Sequence, residues 1–358
     1  TDPDNMARVL TQYWADLFRS RGVDDDTLHQ WVLDDATDRT ANNEEQLDMR
    51  RVTLQRKDVV TAVRRSNNSS PGPDGIPYAA WRRMGEEGFD VLYAAAQEIV
   101  DDDSCWRASR KYPNFNESTL LFLPKKPVDT LDGMDVFEPS GVRPLNVTNT
   151  DNRILASATR VAIEPTLNGL ITTDQAGFLS GRSMLSNVID IDECLTHAAL
   201  EEEKAVAIFY DFAAAFPSVE HQMLFEYFVS LGWPSWLRNM ILMLYSNNFC
   251  TINLGSATYV GFGITRGIRQ GCPLSPLLFA AVSELLLRRL RRMVPDTLNR
   301  AYADDLAMVL RRGLASLPAL HRIFTEFATI SELHISIGKT VLAPLHPFDL
   351  LALRTELS

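Results

Sequence analysis

The chain has 358 residues, 46% of them hydrophobic, with eighteen Gly, eighteen Pro and a formal charge of −11. That is enough apolar material for a large core, or for two subdomains sharing one, and it excludes a fibrous or disordered chain. The acidic balance, taken alone, argues against a nucleic-acid partner, which usually carries an excess of Lys and Arg.

Distribution matters more than the sum. Basic clusters stand at Arg64–Arg65, Arg82–Arg83, Lys125–Lys126, within 288–292 and at Arg311–Arg312. Acidic ones stand at Asp24–Asp26, Asp34–Asp35, Asp101–Asp103 and Glu201–Glu203, where solvated faces are expected. Cys105, Cys194, Cys250 and Cys272 form no CxxC and match no His spacing, so they read as reduced thiols of an intracellular protein rather than a zinc site. No apolar run approaches the roughly eighteen residues of a membrane span; the closest, Pro276 to Leu287, is interrupted by Ser283 and Glu284. No membrane partner is expected. The start TDPDNMARVL shows neither an initiator Met nor a signal pattern and reads as a cut from a longer protein.

In chain order, Val9, Leu10, Tyr13, Trp14 and Leu17 recur at helical spacing, predicting an amphipathic helix followed by a polar, acidic connector to residue 50. A short helix (Arg56 to Ser66) leads into the Pro-Gly-Pro-Asp-Gly loop, after which Pro77 opens a helix through Tyr78 and Trp81. Ser118 to Leu123 reads as a strand. Helices follow at Ile154 to Leu170 and Ser186 to Leu200, separated by the Gly-punctuated loop DQAGFLSGRS. The run AVAIFY (205–210) is a buried strand ending at Asp211. Beyond it the pattern predicts helices at Val219 to Val229 and Pro234 to Tyr245, then strands at Cys250 to Leu254 and Thr258 to Ile264. Pro273 to Met293 reads as a helix, Arg300 to Leu310 as two strands around Asp304–Asp305, Leu317 to Ile330 as a helix, and Leu333 to Ala343 as a last strand or strand pair.

Three carboxylates at strand ends carry the chemistry: Asp211 after AVAIFY, and Asp304 and Asp305 between RAY and LAMVL. Buried strands avoid acids because an unpaired carboxylate is costly to bury. A strand end at a cleft tolerates them when a hard divalent cation satisfies them. Two such ions about 3.5–4 Å apart stabilise the attacking and leaving oxygens of phosphoryl transfer. Gly338-Lys339-Thr340 is not a phosphate-binding loop of the GxxxxGK type, since position 333 is Leu.

The tetrapeptide YADD at 302–305 resembles the catalytic motif of reverse transcriptases, and its neighbours fall in that family's order. FYDFAAAFPSV (209–219) resembles the strand bearing the first metal aspartate. RGIRQGCPLSPLLF (266–279) resembles the Gln-Gly…Ser-Pro motif opening a palm helix. SPGPDGIPYAAW (70–81) resembles the N-terminal loop of retrotransposons without long terminal repeats. LPKKP…GVRPL (123–145) resembles the basic fingers segment, DQAGFLSGRS (174–183) the fingers loop after it, and LHISIGKTVL (333–342) the late Gly…Lys-Thr element.

The resemblance implies an α/β (α+β) right-hand polymerase, its palm an antiparallel sheet backed by helices. It divides the chain into an N-terminal extension (1–50), fingers (51–204), palm (205–345) and the start of a truncated C-terminal segment (346–358), with the thumb missing or cut away. The implied activity is RNA-directed DNA polymerisation from dNTPs onto a DNA primer, with two Mg²⁺ ions and Mn²⁺ as a substitute. The implied partners are an RNA template, a DNA primer and other domains of a larger retroelement polyprotein, in the nucleus or a cytoplasmic ribonucleoprotein.

Carried over by position, Asp211 and Asp304 bind both metals, with Asp305 less central because successive side chains alternate in extended backbone. Phe212 stands beside the metals and the nucleotide. Phe216, five residues after Asp211, excludes a 2′-hydroxyl. Gln270 and Gly271 line the nucleotide with little bulk. Lys125 (or Lys126) and Arg143 take the triphosphate, and Lys339 donates a proton to the leaving pyrophosphate. Gly72, Asp74, Gly75, Arg182 and Tyr302 face nucleic acid, while the arginines of 288–292 are either nucleic-acid contacts or a solvated helix face. Pro217 departs from the acidic or polar residue common in relatives and bears on the placement of Phe216. Two rivals remain open: a catalytically weak or inert RNA-binding descendant of the fold, and an RNA-dependent RNA polymerase. Phe216, and YADD in place of GDD, disfavour the second.

Overall fold

The architecture is that of a computed structural model, which describes residues 2–41, 51–101, 103, 108, 110–125, 127–201 and 204–345. Lys126, Cys105 and the segment 346–358 lie outside the described residues. In chain order the helices are α1 (Pro3–Leu17), α2 (Asp25–Ala41), α3 (Arg56–Arg65), α4 (Tyr78–Met84), α5 (Glu86–Val100), α6 (Thr150–Leu170), α7 (Met184–Leu200), α8 (Ala215–Ser218), α9 (His221–Ser230), α10 (Ser235–Tyr245), α11 (Ser275–Met293) and α12 (Leu317–Ser331). The strands are β1 (Glu117–Pro124), β2 (Asp129–Leu131), β3 (Met134–Val136), β4 (Val142–Thr148), β5 (Val206–Tyr210), β6 (Asn248–Leu254), β7 (Ala257–Ile264), β8 (Thr297–Tyr302), β9 (Asp305–Leu310) and β10 (Val341–Pro344). None of the described helices is long and apolar enough to cross a membrane.

Two four-stranded sheets organise these elements, ordered β4-β1-β6-β7 and β10-β5-β9-β8. In the first, β1 runs antiparallel to β4 and parallel to β6. Alternation along β4 buries Val142, Pro144, Asn146 and Thr148 and leaves Arg143 exposed. Helix α1 covers this sheet: Trp14 stacks on Phe122 with ring centroids 6.0 Å apart, and Phe18 on Phe262 at 6.0 Å. The division of the chain at residue 204/205 does not carry through to strand pairing. β6 and β7, expected with the second half, join β1 and β4 in one sheet, β6 pairing with β1 and β7 with β6. A parallel partner is chosen by tertiary packing and leaves no local mark in the sequence.

The second sheet is antiparallel throughout. Val206, Ile208, Leu306, Met308 and Leu310 enter the main core, where α6, α11 and α12 also contribute. Helix α11 is buried on nearly all sides, from Leu277 to Leu290.

The expected acidic connector contains a helix, α2; Asp25 and Asp26 in its first turn are exposed, but Asp34, Asp35 and Asp38 are paired with arginines. The Asp35 carboxylate accepts from Arg288 Nε at 2.6 Å and from Arg39 Nε at 2.8 Å. Asp34 accepts from Arg292 Nη2 at 3.0 Å and from Arg289, and Arg288 also reaches Asp38. Arg291 instead pairs with Asp174 at 2.8 Å. Arg288, Arg289 and Arg292 thus fasten α11 to α2, while Arg291, more than half exposed, reaches the loop before α7. Helical spacing puts Asp34, Asp35 and Asp38 on one stripe, but only the fold supplies the facing cations.

Candidate active site

The register of the second sheet builds the carboxylate cluster. Tyr210 pairs with Leu306, so the end of β5 lies beside the β8–β9 turn. That turn is closed by Tyr302 opposite Asp305, with Ala303 and Asp304 as its two central residues. Ala303 has φ 59°, a left-handed conformation uncommon for a residue with a side chain. Asp304 is half-buried and Asp305 exposed. Burial pushes the Asp304 carboxyl above its ordinary range, and the negative charges of Asp305 and Asp211 push it further. Asp305 is raised as well, by burial and then by Asp211, against the opposing charge of Lys339.

Lys339 arrives through a short ladder. Ser336 N–H donates to the Asp211 carbonyl at 2.7 Å and Ala213 N–H to the His334 carbonyl at 2.9 Å, on either side of an antiparallel bridge between Phe212 and Ile335. A turn at Ile337–Lys339 then places Lys339 Nζ 3.1 Å from Asp211 Oδ1. The Phe212 side chain is buried in the core, edge-on to Phe324. Alternation along the strand sends the ring inward, so the main chain of Phe212, not its ring, lies on the Asp211 side.

Cations converge from the first sheet. Lys125 lies beyond the end of β1, its N–H bonded to the Gly141 carbonyl at 2.9 Å, and Arg143 lies on the paired strand opposite Leu123. Burial lowers the proton affinity of the Lys125 amine, as do Arg143 and Lys339, while Asp211 and Asp304 oppose the shift. These five residues thus share one electrostatic neighbourhood despite coming from two sheets. The Gln270-Gly271 loop closes it: Asn146 N–H donates to the Gln270 carbonyl at 2.9 Å. Gly271 has φ +106°, and a Cβ there would meet the Asn146 carbonyl oxygen at 2.8 Å, so a side chain is doubly disfavoured.

Phe216 sits on α8 and is half-buried. Its ring lies nearly parallel to Phe279, with centroids 4.7 Å apart and planes at 11°, and meets Phe178 edge-on at 6.1 Å. Its carbonyl accepts from Ile268 N–H at 2.7 Å. Pro217 fits the short helix, and Gly267 packs against its carbonyl where a Cβ would lie at 2.5 Å.

Other expected contacts are arranged differently. The Arg182 guanidinium, expected at nucleic acid, is turned onto main-chain carbonyls of its own neighbourhood. Its Nη1 donates to the carbonyls of Thr172 and Gln175, and its Nη2 to those of Asn168 and Ile171 at 2.7 Å. A guanidinium surrounded by carbonyls in a part-buried loop acts as an internal staple. The loop holding Gly72, Asp74 and Gly75 packs against the start of α6: Asp74 N–H donates to Asn149 Oδ1 at 3.1 Å, and a Cβ on Gly72 would meet Asn149 N at 2.4 Å. Asp74 and Gly75 remain exposed. Tyr302 is half-buried, its ring 6.4 Å from that of Phe178.

Among the described residues no three or more His, Cys, Asp or Glu side chains are gathered as a metal cage. Mg²⁺ seldom uses one; it is held by one or two carboxylates completed by substrate phosphates and water. Asp211 and Asp304 would supply such a pair: an ammonium group already lies on Asp211, and the charges of Asp305 and Asp211 act on Asp304.

The model of the family "Reverse transcriptase (RNA-dependent DNA polymerase)" matches residues 123–354, and the chain belongs to that family. Its relatives place it with the reverse transcriptase domains of non-LTR retrotransposons. It is 27% identical over 287 residues to the transposon TX1 uncharacterized 149 kDa protein of Xenopus laevis, covering 76% of this chain and 21% of that one. It is 26% identical over 269 residues to the Pol polyprotein of a type-1 retrotransposable element R2 from Nasonia vitripennis, covering 72% and 24%. To the Pol polyprotein of R2DM from Drosophila melanogaster it is 24% identical over 286 residues, covering 78% and 25%. The chain thus spans about a quarter or less of the length of these relatives.

Sequence reasoning treated DQAGF as a loop and missed Gln175 and Gly177. Both touch the Asp304 turn: Gln175 Oε1 accepts from Ala303 N–H at 2.9 Å, and a Cβ on Gly177 would lie 2.1 Å from Ala303 N. The signal available was a polar residue two before a glycine, too common to carry weight.

Proposed function

We propose that the chain is an RNA-directed DNA polymerase domain that joins dNTPs to a DNA primer 3′-hydroxyl along an RNA template, within a larger retroelement polyprotein. The observation that carries this reading is the convergence of Asp211, Asp304 and Asp305 with Lys339, Lys125 and Arg143 at the ends of β5, β9, β1 and β4. In this reading the second sheet is the palm, and the first sheet with the helices before it forms the fingers.

Asp211 and Asp304, with the Phe212 main chain, would hold two Mg²⁺ ions, for which Mn²⁺ substitutes; when bound, the ions supply charge stabilisation to the attacking and leaving oxygens. Every other part falls to the protein. Lys125 and Arg143 offset charge on the triphosphate, the planar guanidinium suiting a bidentate grip. Gln270 and Gly271 bring main chain close to the nucleotide. Phe216, braced flat on Phe279, stands beneath the sugar and excludes a 2′-hydroxyl by volume. Lys339 carries a proton at Nζ, leaves Asp211 as substrate enters, and delivers that proton to the departing pyrophosphate. The exposed Asp74–Gly75 turn with Gly72, and Tyr302, flank the template and primer.

The test is extension of a DNA primer annealed to RNA, with dNTPs or NTPs, against an Asp304→Asn control. Mg²⁺-dependent incorporation of dNTPs, lost in the control, is expected. Incorporation of NTPs in preference would point to an RNA polymerase, and equal activity of the control would remove Asp304 from the reaction.

A further inference from the structure

Asp304 is carried by a turn that its own backbone does not favour. Ala303, the residue before it, is left-handed at φ 59° without being glycine, a conformation that persists only where surroundings hold it. The surroundings are visible. Residues 174–176 add to β8 as a short parallel strand: Gln175 bridges Ala301, Ala176 N–H donates to the Ala301 carbonyl at 2.8 Å, and Ala301 N–H donates to the Asp174 carbonyl at 2.6 Å. Asp174 is itself fixed by Arg291 at 2.8 Å and Arg300 at 3.0 Å.

From that strand the Gln175 side chain, fully buried, reaches both polar groups of Ala303. Its Oε1 accepts from Ala303 N–H at 2.9 Å and from Gly177 N–H at 2.8 Å. Its Nε2 donates to the Ala303 carbonyl at 3.1 Å and to Ser283 Oγ at 3.1 Å. All four hydrogen-bonding positions of the amide are occupied, and the reversed amide would face two N–H donors with a third donor. The orientation is therefore imposed by the backbone. Gly177 admits this approach, since a Cβ would lie 2.9 Å from Gln175 Oε1 as well as against Ala303 N.

We propose that Gln175 is a positioning residue for polymerisation: by gripping both sides of Ala303 it fixes the strained turn and so aims the Asp304 carboxylate. The proposal rests on the reading of Asp304 as a metal-binding carboxylate. The Gln175 side chain is buried and spends all four bonds on the protein, so its loss is expected to act on turnover rather than on nucleotide binding.

The experiment compares Gln175→Met, Ser283→Ala and Asp304→Asn with the wild-type chain in primer extension on RNA, each normalised to folded protein by its thermal melt. Gln175→Met keeps the volume and removes every bond. Its kcat is expected to fall about tenfold or more, the rate equivalent of one lost hydrogen bond of ~1.4 kcal/mol. Its KM for dNTP should stay within about threefold, and its half-saturating Mg²⁺ should rise at least about threefold. Ser283→Ala removes one bond and spares the grip on Ala303, so its kcat should stay within about threefold. If Gln175→Met does not fold, Gln175→Glu is read in its place; it keeps both accepted bonds but sets an oxygen against the Ala303 carbonyl, and the same losses are expected. A dead Asp304→Asn beside a Gln175 variant with near-normal kcat and Mg²⁺ dependence overturns the positioning role. An equal kcat loss in Ser283→Ala also overturns it, assigning the effect to loop packing. An active Asp304→Asn removes the underlying reading, and this inference with it.

Discussion

Replacing Asp35 by alanine removes the carboxylate shared by Arg288 and Arg39 in the seam between α2 and α11. The Asp35 and Arg288 side chains are only 5% and 6% exposed, and their closest atoms are 2.6 Å apart. Water cannot take over the lost partner at such burial, so the substitution should cost about 3–5 kcal/mol, the range for breaking a buried ion pair from one side. At about 0.75 kcal/mol/K of unfolding entropy for a chain of this length, that is a fall in Tm of about 4–7 °C. Differential scanning calorimetry at pH 7, with urea denaturation as a second probe, measures it. The triple variant Asp35→Leu, Arg39→Met and Arg288→Met, which removes both cations with their shared carboxylate, should recover most of the loss, because apolar residues of similar volume often replace a buried ion triad at little cost. A loss under about 1 kcal/mol for Asp35→Ala, the size typical of exposed pairs, would refute the reasoning and return these acids to a solvated face.

Asp304→Asn should abolish extension, whereas Asp305→Asn, altering an exposed carboxylate, should leave a trace measurable in long incubations; equal loss would defeat the ordering. Phe216→Val removes the ring stacked at 4.7 Å on Phe279, and the preference for dNTP over NTP in kcat/KM should drop by about 1–3 kcal/mol, or tenfold to a few hundredfold; unchanged selectivity would end the steric role. Lys339→Ala should lower kcat by about a hundredfold or more, the usual contribution of a general acid, and a change confined to KM would argue against proton donation. Glu284 is fully buried, and burial raises its carboxyl to about 7, against the Thr172 hydrogen bond and the charges of Arg39 and Arg288. A carboxyl that keeps its proton longer when folded stabilises below its unfolded pKa, and that contribution is lost as pH rises through about 7. Glu284→Gln should flatten the decline in Tm between about pH 5 and 8; an unchanged slope would show that Glu284 does not titrate there.

The sequence by itself marked three carboxylates at strand ends and many of the elements. AVAIFY before Asp211 and the two acids between RAY and LAMVL are local patterns, set by the apolar run of a buried strand and the aversion of strands to buried acids. The helices at 317–331 and 275–293 were legible for the same reason, through the recurrence of apolar residues. Tertiary structure alone decided what faces what. It paired β1 in parallel with β6 across more than a hundred residues, turned Arg288, Arg289 and Arg292 onto the acids of α2, and wrapped Arg182 in carbonyls. It also brought Gln175 onto Ala303 from 128 residues away. Charge and hydrogen-bonding capacity are written in a residue's identity, but a partner is chosen by the approach of distant backbone, and a single sequence records that only after folding.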